Sequence, residues 1–167
     1  AAGYLAGVMT HFEISFDYVP SDEPLPQGML AGGRRAFVIS DYPARNFAPG
    51  QLEQIAGQVA GGSGLLMIGG WESFTGLGGD FGSTALRDVL PVILQESDDR
   101  INWAQPCLVE KLRDHPIVAG LPFDDAAPGI GGYNRLRTKA GAVEVLAARR
   151  YRARRALPGH RFESAGA

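Results

Sequence analysis

Two short apolar runs constrain this chain more than any other feature: AFVI at residues 36–39 and LLMI at residues 65–68, each followed by small or polar residues. Between them Leu52, Ile55, Ala56 and Val59 recur at helical spacing, after Pro49 and before the stop at Gly61 and Gly62. A continuous apolar run of this length suits a strand buried on both faces. Strand, helix and strand in succession bring the second strand back parallel to the first. The expected fold is therefore α/β, a doubly wound and mainly parallel sheet.

The flanking segments are read the same way. Leu5, Val8, Met9 and Phe12 mark one face of a helix over residues 4–12, and residues 14–19 alternate apolar and polar up to Pro20, the pattern of a strand with one covered face. Thr84 is placed to cap a short helix over residues 85–90, with a strand at residues 92–94 and a short helix at residues 108–113. Residues 133–148 read as strand-rich. A doubly wound sheet normally has its first strand at the centre, yet this sequence opens on a helical pattern. That predicts a piece of a longer fold, without its first strand and its C-terminal end.

With 167 residues and 45% apolar content, one globular domain over residues 1–167 is expected. No apolar run approaches the roughly 20 residues of a membrane helix, so no membrane partner is expected. A single cysteine, Cys107, forms no intramolecular disulfide and no zinc cluster, which points to a reducing, cytoplasmic setting. The charge is uneven. Residues 1–148 carry ten Lys/Arg against seventeen Asp/Glu, whereas residues 149–167 carry six Arg against one Glu. The acidic body opposes nucleic-acid binding, and the basic C-terminal segment suits contact with that body or with a second copy in a homo-oligomer.

Longer motifs carry a family likeness. FVISDYPA, then GSGLLMIGGWESFTGLGGDFGSTALRDVLPV and DDRIN, resemble the class I glutamine amidotransferase-like proteins, and DHPIVAGLP resembles a segment of the related ThuA-type trehalose-utilisation proteins. The likeness covers about residues 36–122. It implies a flavodoxin-like sheet. It also implies where catalysis sits in active members of the superfamily: a cysteine on a strained turn after a strand, with a histidine and an acid later in the chain. Here the matching turn reads Ile68-Gly69-Gly70-Trp71-Glu72 and holds no cysteine. The likeness thus implies the fold and withholds the glutaminase reaction.

The candidate site follows from the strand ends. Ser40 and Asp41 close the first run, and Gly69, Gly70, Trp71, Glu72 and Ser73 close the second, so parallel packing brings both sets to one rim, where α/β sheets bind ligands. Glycines permit close backbone approach, while Glu72 and Ser73 offer polar contacts. The structural alternatives are a turn whose Trp71 packs on the sheet and an Asp41 that holds only its own Tyr42-Pro43 turn. Ser73 lacks the G-x-S-x-G setting of a nucleophile. The run GLGGDFG at residues 76–82 lacks the Lys-Ser/Thr of a P-loop and reads as a lid or irregular loop.

Asp98 and Asp99 point to opposite faces if extended, which argues against a shared metal ion and for a solvated turn with a local ion pair. His115, before Pro116, is a further candidate, and Cys107 reads as a buried structural thiol. No catalytic residue, cofactor or metal is assigned. The leading expectation is an amidotransferase-like domain that binds a small polar metabolite without glutaminase activity. A ThuA-like carbohydrate enzyme using Glu72, Asp41 or His115, or an assembly domain, are the alternatives.

Overall fold

The computed structural model describes residues 2–150. The arginine-rich stretch beyond Arg150, with His160 and Arg161, lies outside the described residues. In chain order the regular elements are α1 (Gly3–His11), β1 (Ala36–Ser40), α2 (Gln51–Ala60), β2 (Gly64–Ile68), α3 (Leu86–Val89), β3 (Val92–Ile93), β4 (Arg100–Lys111), β5 (Gly129–Asn134), β6 (Arg137–Thr138) and β7 (Leu146–Arg149). Helices and strands are mixed, and the described sheets are small. β1 pairs with β2, β3 with β6, and a third sheet has the order β5-β4-β7. Contacts divide the chain into two units. The first holds residues up to Arg100 together with Asn134–Ala140, and the second holds Ile101–Tyr133 and the residues from Gly141 on.

In the first unit β1 and β2 are parallel, in register from Ala36 against Gly64 to Ser40 against Ile68, with α2 as the crossover. Pro49 does not open the helix. Gly50 stands between, at φ 86°, and the Gln51 side chain accepts the Ala48 N–H at 2.8 Å. Leu52, Ile55 and Ala56 of α2 are buried with Leu30, Ile39, Tyr42, Phe81 and Leu86 in one core, and Phe37, Leu65 and Met67 pack against it. The expectation of strands buried on both faces is corrected here. Val38 is 43% and Leu66 48% exposed, because α2 and α3 supply apolar cover on one side and the alternating side chains send these two to the other.

α1 forms as its spacing predicts, but none of its residues is buried. Residues 14–19 are not a strand: they make no ladder, and Ile14, Phe16 and Tyr18 are exposed. An alternating pattern becomes a strand only where another strand pairs with it. Thr84 donates its hydroxyl to Phe81 O instead of capping, and α3 is one turn long.

In the second unit the predicted helix at residues 108–113 is replaced by the end of β4. Leu108 to Lys111 run antiparallel to β7, from Leu108 against Arg149 to Lys111 against Leu146. Cross-strand pairing overrides a local spacing that suits either element. Cys107 is buried, 1% exposed, as expected of a structural thiol. Arg149 pairs with Glu110, and the Arg150 guanidinium lies 3.5 Å from the Trp103 ring centroid. Lys111 bridges Asp114 and Asp124, and these carboxylates hold its ammonium above the ordinary lysine range.

Candidate functional site

The parallel β1–β2 pair places both strand ends on one rim. Asp41, the first residue after β1, sits at φ 49°, a left-handed conformation that a non-glycine residue adopts only where its surroundings fix it. Its carboxylate reaches the neighbouring loop instead of its own turn: Oδ1 accepts the Glu72 N–H at 2.7 Å. The Asp41 N–H in turn donates to Ser73 Oγ at 3.2 Å, and that hydroxyl donates to Ile68 O at 2.7 Å. Ser40, Asp41 and the residue 69–73 turn are thereby gathered. A Cβ on Gly70 would lie 2.6 Å from Asp41 Oδ1, so this approach requires glycine.

The rest of the loop is held from within. Asn134 brackets Gly70, its Oδ1 accepting the Gly70 N–H at 2.9 Å and its Nδ2 donating to Gly70 O at 3.2 Å. The same Nδ2 donates to Asp99 Oδ1 at 2.7 Å. Asp99, 1% exposed, also accepts the Thr75 and Gly76 N–H groups, each at 3.1 Å. Thr75 Oγ1 donates to Gln95 O at 2.6 Å. Residues 76–80 are irregular, as expected, and a single tight turn of helix follows at Phe81–Ser83, yet Gly76, Gly79 and Phe81 are buried and Phe74 and Asp80 hold positive φ. A freely moving lid is not what these contacts describe.

Outside this clamp lie the groups a ligand can meet. Trp71 is 61% exposed, with the Arg100 guanidinium carbon 4.6 Å from its ring centroid. Arg100 is fixed by Asp98, whose Oδ1 accepts from Nε at 2.9 Å and whose Oδ2 accepts from Nη2 at 2.7 Å. Those hydrogen bonds hold the Asp98 carboxyl down at about 2. Glu72 pairs with Arg45 at 2.5 Å, and Arg45 also donates to Gly78 O at 3.2 Å. The adjacent carboxylates therefore divide, Asp98 outward in an ion pair and Asp99 inward to the loop.

His115 belongs to the second unit, where it is exposed and its Nδ1 accepts the Ile117 N–H at 3.2 Å, capping a single turn of tight helix. Sequence reading missed Asn134 and gave Asp99 no inward role. Among the described residues no three of His, Cys, Asp and Glu gather where they could hold a metal ion, and no helix is long and apolar enough to cross a membrane.

A search of curated proteins found no match to this chain. Among solved structures it is similar to the cytoplasmic protein STM3548 of Salmonella typhimurium, at 31% identity and a TM-score of 0.77, over 87% of this chain and 66% of that one. It is also similar to the cytoplasmic protein STM1381 of Salmonella typhimurium LT2, at 32% identity and a TM-score of 0.78, over 88% of this chain and 66% of that one. The chain thus spans just under two thirds of the length of either. A family model described as "Putative glutamine amidotransferase" matches residues 33–157, most of the chain and parts of both units. On that match, the chain belongs to the glutamine amidotransferase-like family.

Proposed function

We propose that this chain is a recognition domain of the amidotransferase-like family, one that binds a small polar metabolite and does not hydrolyse glutamine. The observation that carries the reading is how the strand-ending turn uses its polar groups. It has no cysteine, and its one hydroxyl, Ser73, is 0% exposed and already bonded to Ile68 O and the Asp41 N–H. The Gly70 and Glu72 N–H groups, which would otherwise suit an oxyanion, are taken by Asn134 and Asp41. A turn with no attacking atom, whose Gly70 and Glu72 N–H groups are already bonded, suits binding more than covalent chemistry. Trp71 and Glu72 present the recognition surface, Asp41, Gly69 and Gly70 shape it, and Ser40 and Ser73 support it from the strand ends.

The proposal extends to the setting. A flavodoxin-like, doubly wound sheet accounts for the parallel β1–β2 pair with α2 as its crossover. The two units then make one family domain, since one family match runs through both. A cytoplasmic setting is the one the two Salmonella relatives favour, and assembly into a homo-oligomer is proposed beside it. The ThuA-like alternative asks acid–base work of Glu72, Asp41 or His115; the first two are engaged in the loop clamp and its ion pair.

The test is glutamine turnover by the purified chain, read beside amide spectra during ligand titration. The expected result is release of ammonia no faster than the buffer blank, with metabolite-induced shifts at Gly70, Trp71 and Glu72. Turnover that Cys107→Ala abolishes would overturn the proposal.

A further inference from the structure

We infer that Trp71 is a fixed stacking platform for an uncharged planar ring; this rests on the recognition reading and names the ligand class it would take. Three observations converge on the indole. It is held from behind, because Asp98 grips Arg100 with two hydrogen bonds and Arg100 lies on one face of the ring. Its backbone is held from below, because Asp41 accepts the next N–H and Asn134 brackets the preceding residue. Trp71 is 61% exposed even with Arg100 against the ring, so much of the indole is open to water. A surface tryptophan normally loses rotamer freedom when a ligand stacks on it; here much of that loss has already occurred on folding.

Charge sets the class. A guanidinium on one face of an aromatic ring uses its negative quadrupole. A cation stacked on the opposite face would sit about 8 Å from that positive charge, weakening binding by only roughly twofold, because Asp98 pairs with the guanidinium and water screens the exposed ring. An anion meets the reverse problem. Around the loop stand four carboxylates, Asp41, Glu72, Asp98 and Asp99, against two guanidinium groups, Arg45 and Arg100. A neutral ring avoids both penalties, and ring or amide N–H donors on it would find Glu72, whose side chain is about one-third exposed.

A matched set of probes tests this: nicotinamide, its anionic acid nicotinate, and its ring-N-methylated cation, titrated against the full chain at neutral pH. The readout is the indole N–H signal of Trp71, assigned by its loss in Trp71→Phe, with Trp103 as the internal reference. Nicotinamide is expected to shift the Trp71 signal saturably, and each charged analogue to bind roughly twofold more weakly. In Arg100→Gln the cation is expected to gain on nicotinamide while the anion falls further behind, with the Gly70 and Gly76 amide signals unmoved to report an intact loop. Equal or tighter binding of either charged analogue to the unaltered chain overturns the inference, as does the absence of any Trp71 shift with all three. Glutamine turnover would instead overturn the recognition reading alone, leaving the charge preference at Trp71 to stand or fall by the titration.

Discussion

α1 and the loop at residues 69–80 belong to the same unit and are opposites. α1 is regular, hydrogen-bonded along its own backbone, and buries none of its residues; Tyr4 is 94% exposed. The loop has almost no regular structure, yet Ser73, Phe74, Gly76 and Gly79 in it are buried, and Asp41, Asp99 and Asn134 tie it to three other parts of the chain. Periodicity makes a helix, whereas fixing one place in a fold takes long-range partners. Rigidity in this molecule follows the partners.

The widest gap should open at Asp99. In Asp99→Ala the Thr75 and Gly76 N–H groups and the Asn134 amide lose their acceptor in a place water does not reach. Orphaned buried donors cost about 1 to 3 kcal/mol each, with partial relaxation, so a loss of about 3 to 5 kcal/mol is expected. Urea unfolding measures it. A loss under about 1 kcal/mol would mean the loop is not held as the hydrogen bonds describe, and the contrast with α1 would collapse.

Gly76→Ala should rank next. Gly76 has φ 46°, and a methyl there would collide with the Trp71 carbonyl oxygen and lie 2.8 Å from that of Ser73. Left-handed strain and backbone overlap together are expected to cost about 2 to 4 kcal/mol, read as a lower urea midpoint. Ser73→Ala follows, at about 1 to 2 kcal/mol, since it removes the donor to Ile68 O and the acceptor of the Asp41 N–H. The same variant sharpens the functional reading: metabolite binding should weaken only as far as the turn loosens.

This contrast also explains what the sequence let us read. β1, α2 and β2 were legible because their apolar spacing and packing agree, and the convergence of Asp41 with the glycine turn follows from parallel strands ending together. The clamp was not. Asp99 and Asn134 are 35 residues apart and meet through one amide. One signal was present, however: adjacent carboxylates on an extended chain face opposite ways, so one of Asp98 and Asp99 had to turn inward. Phe74 and Asp80 adopt left-handed backbone without a glycine to announce it, and the end of β4 was misread because its partner β7 lies some 40 residues on.

A smaller effect separates the two faces of the loop by pH. Asp98 titrates at about 2 against its ordinary 3.8, chiefly because Arg100 donates side-chain hydrogen bonds to it. A depressed carboxylate contributes above its unfolded value and loses that contribution as pH falls through the folded one. The Arg100 cover on Trp71 should therefore persist through pH 4 and release only as pH approaches 2. The Trp71 fluorescence, obtained by difference against Trp71→Phe, is expected to change in that window, and Asp98→Asn to remove the change. A midpoint near 3.8 would mean that Asp98 does not hold Arg100.

The smallest effect tests the other half of the comparison. Tyr4→Ser removes a large aromatic side chain, a change that costs several kcal/mol in a core. At 94% exposure the ring has almost no packing to lose, so the expected change is under about 0.5 kcal/mol. The same reasoning covers Val8→Ser, at half exposure, with an effect only slightly larger. Measured beside Ser73→Ala, these variants set a large surface aromatic against a single buried hydroxyl, and the hydroxyl should matter more. A loss above about 1 kcal/mol at Tyr4 would show that α1 is covered in solution, and would place it with the loop among the anchored parts of the unit.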